Sequence, residues 1–273
     1  SGVHNILKSK CDDIYISSYA VRPQPVFKNA MVNTSILAFR KTGKPCSGIY
    51  ATKMYRKGKN FNLQMLVEHL QFVEVKELML FGRIPKISLE MEKDILKKLS
   101  GCDKLKLYER KLGSDIYYRT SGGRYFKVVT NYSTGSSKEK PIVLDEKYAN
   151  ALGCILSSNL SFWFYQIYSN NLDWKSDEIE NTPIPPLSNE TIEKLDELYK
   201  EYLADIEANA NKRLTSGDST YKVDSYKEYK IGKSKAIIDK IDDLICPLYG
   251  LSAEETNFIK NYEIEFRLSG EEE

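Results

Sequence analysis

The sequence contains few of the residues that enzymes use for nucleophilic or metal-assisted chemistry. Only two of its 273 residues are histidines, His4 and His69, and they lie far apart along the chain. The five cysteines are scattered and never spaced as Cys-x-x-Cys. These absences argue against a Ser-His-Asp catalytic set, a disulfide framework and a metal site such as zinc, and reduced thiols predict a cytoplasmic protein.

Membrane-spanning and nucleotide-binding patterns are missing as well. No apolar run is long enough to cross a bilayer and there is no signal peptide, so we expect no membrane partner. No glycine-rich loop joins a strand to a helix, and there is no P-loop. Glu74 and Lys76 match half of a nuclease Glu-x-Lys element, but no convincing acidic partner precedes them. We therefore expect no complete catalytic site in this chain.

The charge of the chain is small but unevenly distributed. The formal net charge is +2. Between residues 104 and 140, however, nine basic residues stand against three acidic ones, whereas the part from Asp177 onward is rich in Glu and Asp. A local basic field on a nearly neutral protein predicts a bounded binding face.

The basic segment contains a stretch, residues 108–132, in which arginines and lysines alternate with aromatic residues. Gly122 and Gly123 predict a tight turn between strands over 115–120 and 124–130. Such a hairpin can neutralise phosphates and touch base edges, although an ordinary strand pair with a solvated face has a similar composition. The candidate DNA-binding residues are Arg110, Lys111, Tyr118, Arg119, Ser121, Arg124, Tyr125, Lys127 and Lys138.

The remaining patterns predict an α+β fold in four parts. Strands are expected over 13–19, 32–41 and 46–55, and helices over 60–73, 88–99, 146–169, 188–206, 234–248 and 252–262. Ser188 is expected to start its helix, Gly250 to form a C-cap, and Ser252 with Glu255 to form a capping box. We assign 1–59 to terminal strands of a larger sheet, 60–100 to a helical bridge, 101–187 to a recognition domain with the basic hairpin, and 188–273 to C-terminal helices. The strands have no helices to cover both faces, so we expect the chain to be part of a longer protein.

Several separated stretches resemble one family. Residues 32–44 are similar to the late strand and turn of TaqI-type (gamma-class) adenine-N6 DNA methyltransferases. Residues 119–127, 156–165 and 183–187 resemble the target-recognition domain of these enzymes, and the last also resembles specificity subunits of type I restriction systems. The segment 237–255 resembles the tails of fused restriction-modification enzymes.

The resemblance implies a DNA-recognition fragment whose partners are double-stranded DNA and a missing N-terminal catalytic domain. It places Phe39 where the family stacks an aromatic ring on the flipped-out adenine; a phenylalanine in the sheet core is the alternative. The S-adenosylmethionine loop and the Asn/Asp-Pro-Pro-Tyr/Phe motif are absent, so the cofactor is expected in the parent enzyme and none in this fragment. The alternative function is a protein-interaction scaffold that docks through the acidic helices from Ser188 onward.

Overall fold

The computed structural model describes residues 2–26, 31–58, 62–121, 127–214 and 225–269. Helices and strands occur together, with the strands in several small sheets, so the predicted α+β class is confirmed. The chain divides into two compact units: Ser1–Ser100 with Gln166–Asn170, and Gly101–Tyr165 with Asn171–Glu273. Outside the gaps just given, none of the helices has the length and apolarity needed to cross a lipid bilayer.

The first unit is built on a four-stranded sheet in the order β2-β1-β3-β4. Strand β1 pairs antiparallel with β2 and parallel with β3, so β2 is an edge strand. The elements are α1 (Gly2–Lys10), β1 (Cys11–Tyr19), β2 (Thr34–Lys41), β3 (Ile49–Tyr55), α2 (Leu63–Glu68), β4 (Val73–Glu74) and α3 (Glu90–Ser100).

The helix predicted over 60–73 is shorter in the structure. Its start is fixed because the side chain of Asn62 accepts a hydrogen bond from Met65 N, and His69 ends it. Val73 then pairs with Ala51 as part of β4 and is buried. The prediction failed at this end because Val73 is β-branched and packs well in a sheet, whereas the helical spacing of apolar residues takes no account of strand pairing.

The second unit has a three-stranded antiparallel sheet in the order β7-β6-β8, two small strand pairs and most of the helices. Its strands are β5 (Asp103–Lys104), β6 (Glu109–Arg119), β7 (Val129–Thr130), β8 (Glu139–Leu144), β9 (Pro183–Ile184), β10 (Asn211–Leu214) and β11 (Ser225–Glu228). Its helices are α4 (Ala149–Leu156), the first part of α5 (Asn159–Tyr168, of which the residues from Gln166 on belong to the first unit), α6 (Ser176–Glu180), α7 (Asn189–Ala208), α8 (Lys235–Ile245), α9 (Ala253–Asn261) and α10 (Ile264–Ser269).

The single helix predicted over 146–169 is two helices that meet at Ser157 and Ser158. The break is stabilised from outside the segment, because the buried carboxylate of Asp242 accepts hydrogen bonds from Asn159 N and Leu160 N, both at 3.0 Å. These are amides at the start of α5 that have no partner within the helix. The sequence of residues 146–169 alone carries no sign of this partner.

Local capping signals elsewhere were accurate. The side chain of Ser188 caps α7, and Ser252 and Glu255 form a capping box at the start of α9. Gly250 ends the preceding turn with a left-handed φ of 74°, which suits glycine. The predictions at these three positions are confirmed because the geometry depends only on neighbouring residues.

Candidate nucleic-acid interface

The predicted basic hairpin contains the central strand of a sheet, with one face in the core. On β6, Ile116 and Tyr118 are buried, and the ring of Tyr118 packs edge-on against Trp174 at 5.7 Å between centroids. Tyr118 is only 3% exposed. The surface contact predicted for Tyr118 is therefore corrected: its side chain belongs to the protein interior.

Lys127 is also a correction. It is 5% exposed, and its Nζ lies 4.3 Å from the ring centroid of Tyr165. Burial lowers the pKa of Lys127 to about 8, against the opposing effect of Glu178 and Asp173. A lysine held under the surface in this way is not available to a phosphate backbone.

Arg110 and Arg119, the two arginines of the predicted set that the structure describes, donate hydrogen bonds to backbone carbonyls of the protein itself. Arg110 forms an ion pair with Asp145 at 3.0 Å and donates to the carbonyls of Leu107 and Glu109. Arg119 Nε donates to the carbonyl of Ser121 at 2.9 Å. Both arginines fix the shape of the strand ends, whereas Lys111 is exposed and forms no ion pair with any described residue.

Ser121 and Lys138 come together at a polar groove of about 560 Å³ in the second unit. The groove lies between the ends of β6 and β8 and the segment that leads into α6. Its lining residues are Thr120, Ser121, Ser137, Lys138, Lys140, Asp173, Trp174, Lys175, Ser176 and Asp177. We call this the lysine groove.

Backbone hydrogen bonds hold the walls of the lysine groove together. Thr120 donates to Lys138 O through both its amide, at 2.7 Å, and its hydroxyl, at 2.8 Å. Trp174 N donates to Thr120 O at 2.6 Å, which joins the segment that leads into α6 to the end of β6. The groove therefore has a defined shape, although its walls come from three parts of the chain.

Glu139 fixes the loop that carries Ser137 and Lys138. Its carboxylate accepts hydrogen bonds from the hydroxyls of Ser133 and Thr134 and from the amides of Thr134 and Gly135. Partial burial raises the pKa of Glu139, but these donors together lower it by more, so its pKa lies below the ordinary value. The side chain of Glu139 is thus committed to the loop.

Three lysines of the groove, Lys138, Lys140 and Lys175, are exposed and have no ion-pair partner in the described part of the chain. Asp173 and Asp177 lie on the same rim, so the ammonium groups outnumber the carboxylates. Lysine and serine side chains are common contacts to phosphate and sugar oxygens. The groove has the chemistry of a phosphate-binding surface.

Lys140 and Lys175 are not among the DNA-binding residues predicted from the sequence. Lys140 lies within the basic segment, residues 104–140, and Lys175 lies outside it. The excess of basic residues in that segment could have indicated Lys140; no local signal indicates Lys175. Arg124, Tyr125 and the predicted Gly122-Gly123 turn lie outside the described residues.

Phe39 lies on the edge strand β2 and is 48% exposed. The alternative that it fills the sheet core is therefore wrong. Ile36 and Leu37 beside it are exposed as well. The role in stacking on a flipped adenine stays a prediction.

A second cavity, of about 380 Å³, lies in the first unit and is mostly apolar. Ile14, Ile16, Ile49 and Ala51 line it, and no carboxylate is among the described residues that do so. Nucleoside cofactors are usually held by an acidic side chain on the ribose. The described lining of the cavity offers no such side chain, and we derive no methyl-transfer step from this chain.

The chain matches no family model, no curated protein and no solved structure. Over the ranges that the structure describes, no three His, Cys, Asp or Glu side chains are grouped so that they could hold a metal ion.

Proposed function

We propose that this chain is the sequence-specific DNA-recognition module of an adenine-N6 DNA methyltransferase or a fused restriction-modification enzyme, and that it is not catalytic by itself. The observation that carries the proposal is the lysine groove, where Lys138, Lys140 and Lys175 line one opening, form no ion pair with any described residue and outnumber the two aspartates on the rim. The resemblance of residues 119–127 and 156–165 to target-recognition domains supports the choice of DNA.

The charge arrangement favours an anionic ligand over a plain solvated surface. Lys138, in the turn before β8, and Lys140, on β8, both line the groove, so two like charges face one opening and repel each other. A bound phosphate backbone relieves this repulsion and releases its own counter-ions. Hydroxyls of Ser121, Ser137 and Ser176 border the same opening and can donate to phosphate oxygens.

The module acts with a catalytic domain that supplies S-adenosylmethionine and the adenine-binding motif. Strand β2 supports this part of the proposal, because it is an edge strand on which Ile36, Leu37 and Phe39 are exposed. Exposed apolar edge strands are normally covered by another chain segment or domain. Phe39 is the residue that we assign to the target adenine.

A salt titration of DNA binding tests the proposal. The ligand is a pool of random-sequence duplexes of about 30 base pairs, followed by fluorescence anisotropy between about 50 and 200 mM salt. The triple variant Lys138→Gln/Lys140→Gln/Lys175→Gln should bind more weakly, with a salt slope reduced by up to about 2.7. The matched control is Lys194→Gln/Lys200→Gln/Lys240→Gln, which removes the same charge from exposed positions on α7 and α8.

The control variant separates a local interface from an effect of net charge. If both triple variants lose affinity equally, binding is diffuse and the groove is not the interface. If the unmodified chain binds no duplex at low salt, the DNA-recognition proposal fails, and docking of a protein through the acidic C-terminal helices becomes the better hypothesis.

A further inference from the structure

The β6–β8 ladder contains an irregularity that the lysine groove does not explain. Glu109 and Ser114 both stand opposite Leu144, so the four residues between them have no partner on β8. We call residues 110–113 the bulge. Bulges of this kind re-aim side chains and are maintained by specific local contacts.

Both ends of the bulge are fixed. At one end, the guanidinium of Arg110 is held by the carboxylate of Asp145 and by two backbone carbonyls. At the other end, Gly113 lies so close to β8 that an added Cβ would stand 2.1 Å from Leu144 O. Only glycine fits there without a shift of the backbone, so the shape of the bulge is built into the sequence.

The bulge presents an apolar side chain to solvent. Leu112 is 92% exposed, more than any other large apolar residue in the described ranges. Lys111 directly precedes Leu112 in the bulge, is exposed and forms no ion pair with any described residue. An exposed leucine that follows an exposed lysine suits a partner that is anionic outside and apolar inside.

We propose that Leu112 is a wedge that enters between stacked base pairs from the minor groove, while Lys111 contacts the adjacent phosphates. This inference rests on the proposed DNA-recognition function. Leucine is among the side chains that unstack a base step and kink a duplex, and the cost of the kink is lower in DNA that is already bent. An anionic lipid surface has a related chemistry, but the lysine groove in the same unit favours DNA.

Competition between bent and straight DNA tests the wedge. The full chain is titrated against a minicircle of about 90 base pairs and a linear duplex of the same sequence, and we expect roughly tenfold tighter binding to the circle. Leu112→Ala should lose this preference and keep its affinity for the linear duplex. Leu112→Met, which keeps a flexible apolar tip, should retain the preference.

Two controls complete the experiment. Leu268→Ala removes another exposed leucine of the second unit and should leave the preference unchanged. The triple groove variant should bind both DNAs more weakly but keep their ratio. Thermal unfolding checks that Leu112→Ala is folded, as expected for so exposed a position.

The outcomes separate the two proposals. Equal binding of circle and linear duplex by the unmodified chain, or an unchanged preference in Leu112→Ala, overturns the wedge and leaves DNA recognition intact. Absence of binding to either DNA overturns the recognition function itself, and the wedge with it. Binding to phosphatidylserine vesicles that is lost in Leu112→Ala, without DNA binding, would reassign the bulge to a membrane surface and also overturn both.

Discussion

Two regions of the second unit carry charged side chains in different surroundings. In the polar network under α5 the charges are buried and hydrogen-bonded, whereas in the lysine groove they are exposed. In the network, Asp242 is 0% exposed and accepts three hydrogen bonds from Asn159 and Leu160. Arg267, 1% exposed, donates to Asn159 Oδ1 at 2.6 Å and lies over the ring of Phe162. The groove lysines form no ion pair with any residue that the structure describes, and they remain in water.

The difference follows from the cost of removing charge from water. Burial raises the pKa of Asp242 to about 6 and lowers the pKa of Arg267 to about 10, because both charged forms are disfavoured in the interior. Such groups are retained only with dense internal hydrogen bonding. Charges that lack internal partners, as in the groove, cost little in water and stay available to a ligand.

The largest expected effect comes from breaking the buried network. Asp242→Ala leaves the first two amides of α5 without an acceptor and removes the carboxylate near Arg267. We expect a loss of about 3–5 kcal/mol in the free energy of unfolding, measured by urea denaturation. The matched control is Asp243→Ala on the same helix, which removes an exposed pair with Lys260 and should cost at most about 1 kcal/mol. Equal losses would show that the network is not special.

A smaller effect on stability is expected from Glu207, whose side chain is 32% exposed and therefore intermediate between the buried Asp242 and the exposed groove lysines. Its carboxylate accepts from the hydroxyls of Tyr132 and Tyr229, at 2.7 and 2.6 Å, and from Lys227 at 2.5 Å. Partial burial raises the pKa of Glu207, but these donors lower it to about 2 overall. Because this is below the ordinary value of 4.5, its contribution is present above pH 4.5 and is lost as the pH falls toward 2.

Glu207→Gln should therefore lower the free energy of unfolding by about 1–2 kcal/mol at neutral pH, after discounting for its partial exposure. The difference between the unmodified chain and the variant should shrink between about pH 4.5 and 2, measured by denaturation at several pH values. A difference that is constant with pH would mean that hydrogen-bond geometry, and not the charge of Glu207, provides the stability.

The smallest effect on stability is expected in the groove. Lys138→Gln/Lys140→Gln/Lys175→Gln removes three exposed ammonium groups that form no ion pair within the described ranges, so each change should alter the free energy of unfolding by no more than about 0.5 kcal/mol. Thermal and urea unfolding check this. A large stability loss in this variant would contradict the division between structural and available charges.

Most elements, though not their pairing, could be predicted from the sequence. The spacing of apolar residues and the Ser188 cap predicted α7, and alternation predicted β1 and β3. Strand β8 was missed because residues 139–144 carry charges and Pro141, which do not indicate a strand. Helices α1 and α10 were also missed, since each is short and lacks a clear capping signal.

The sequence by itself determined the features that depend on near neighbours: the helix caps at Ser188 and Ser252, the left-handed turn at Gly250, and the excess of positive charge between residues 104 and 140. Only the tertiary structure decided which of those charges face solvent. The register of β6 turns Tyr118 into the core, packing buries Lys127, and the fold brings Lys175 to the same groove as Lys138. Caps are set by hydrogen bonds within one turn, whereas exposure depends on contacts between segments far apart in the chain.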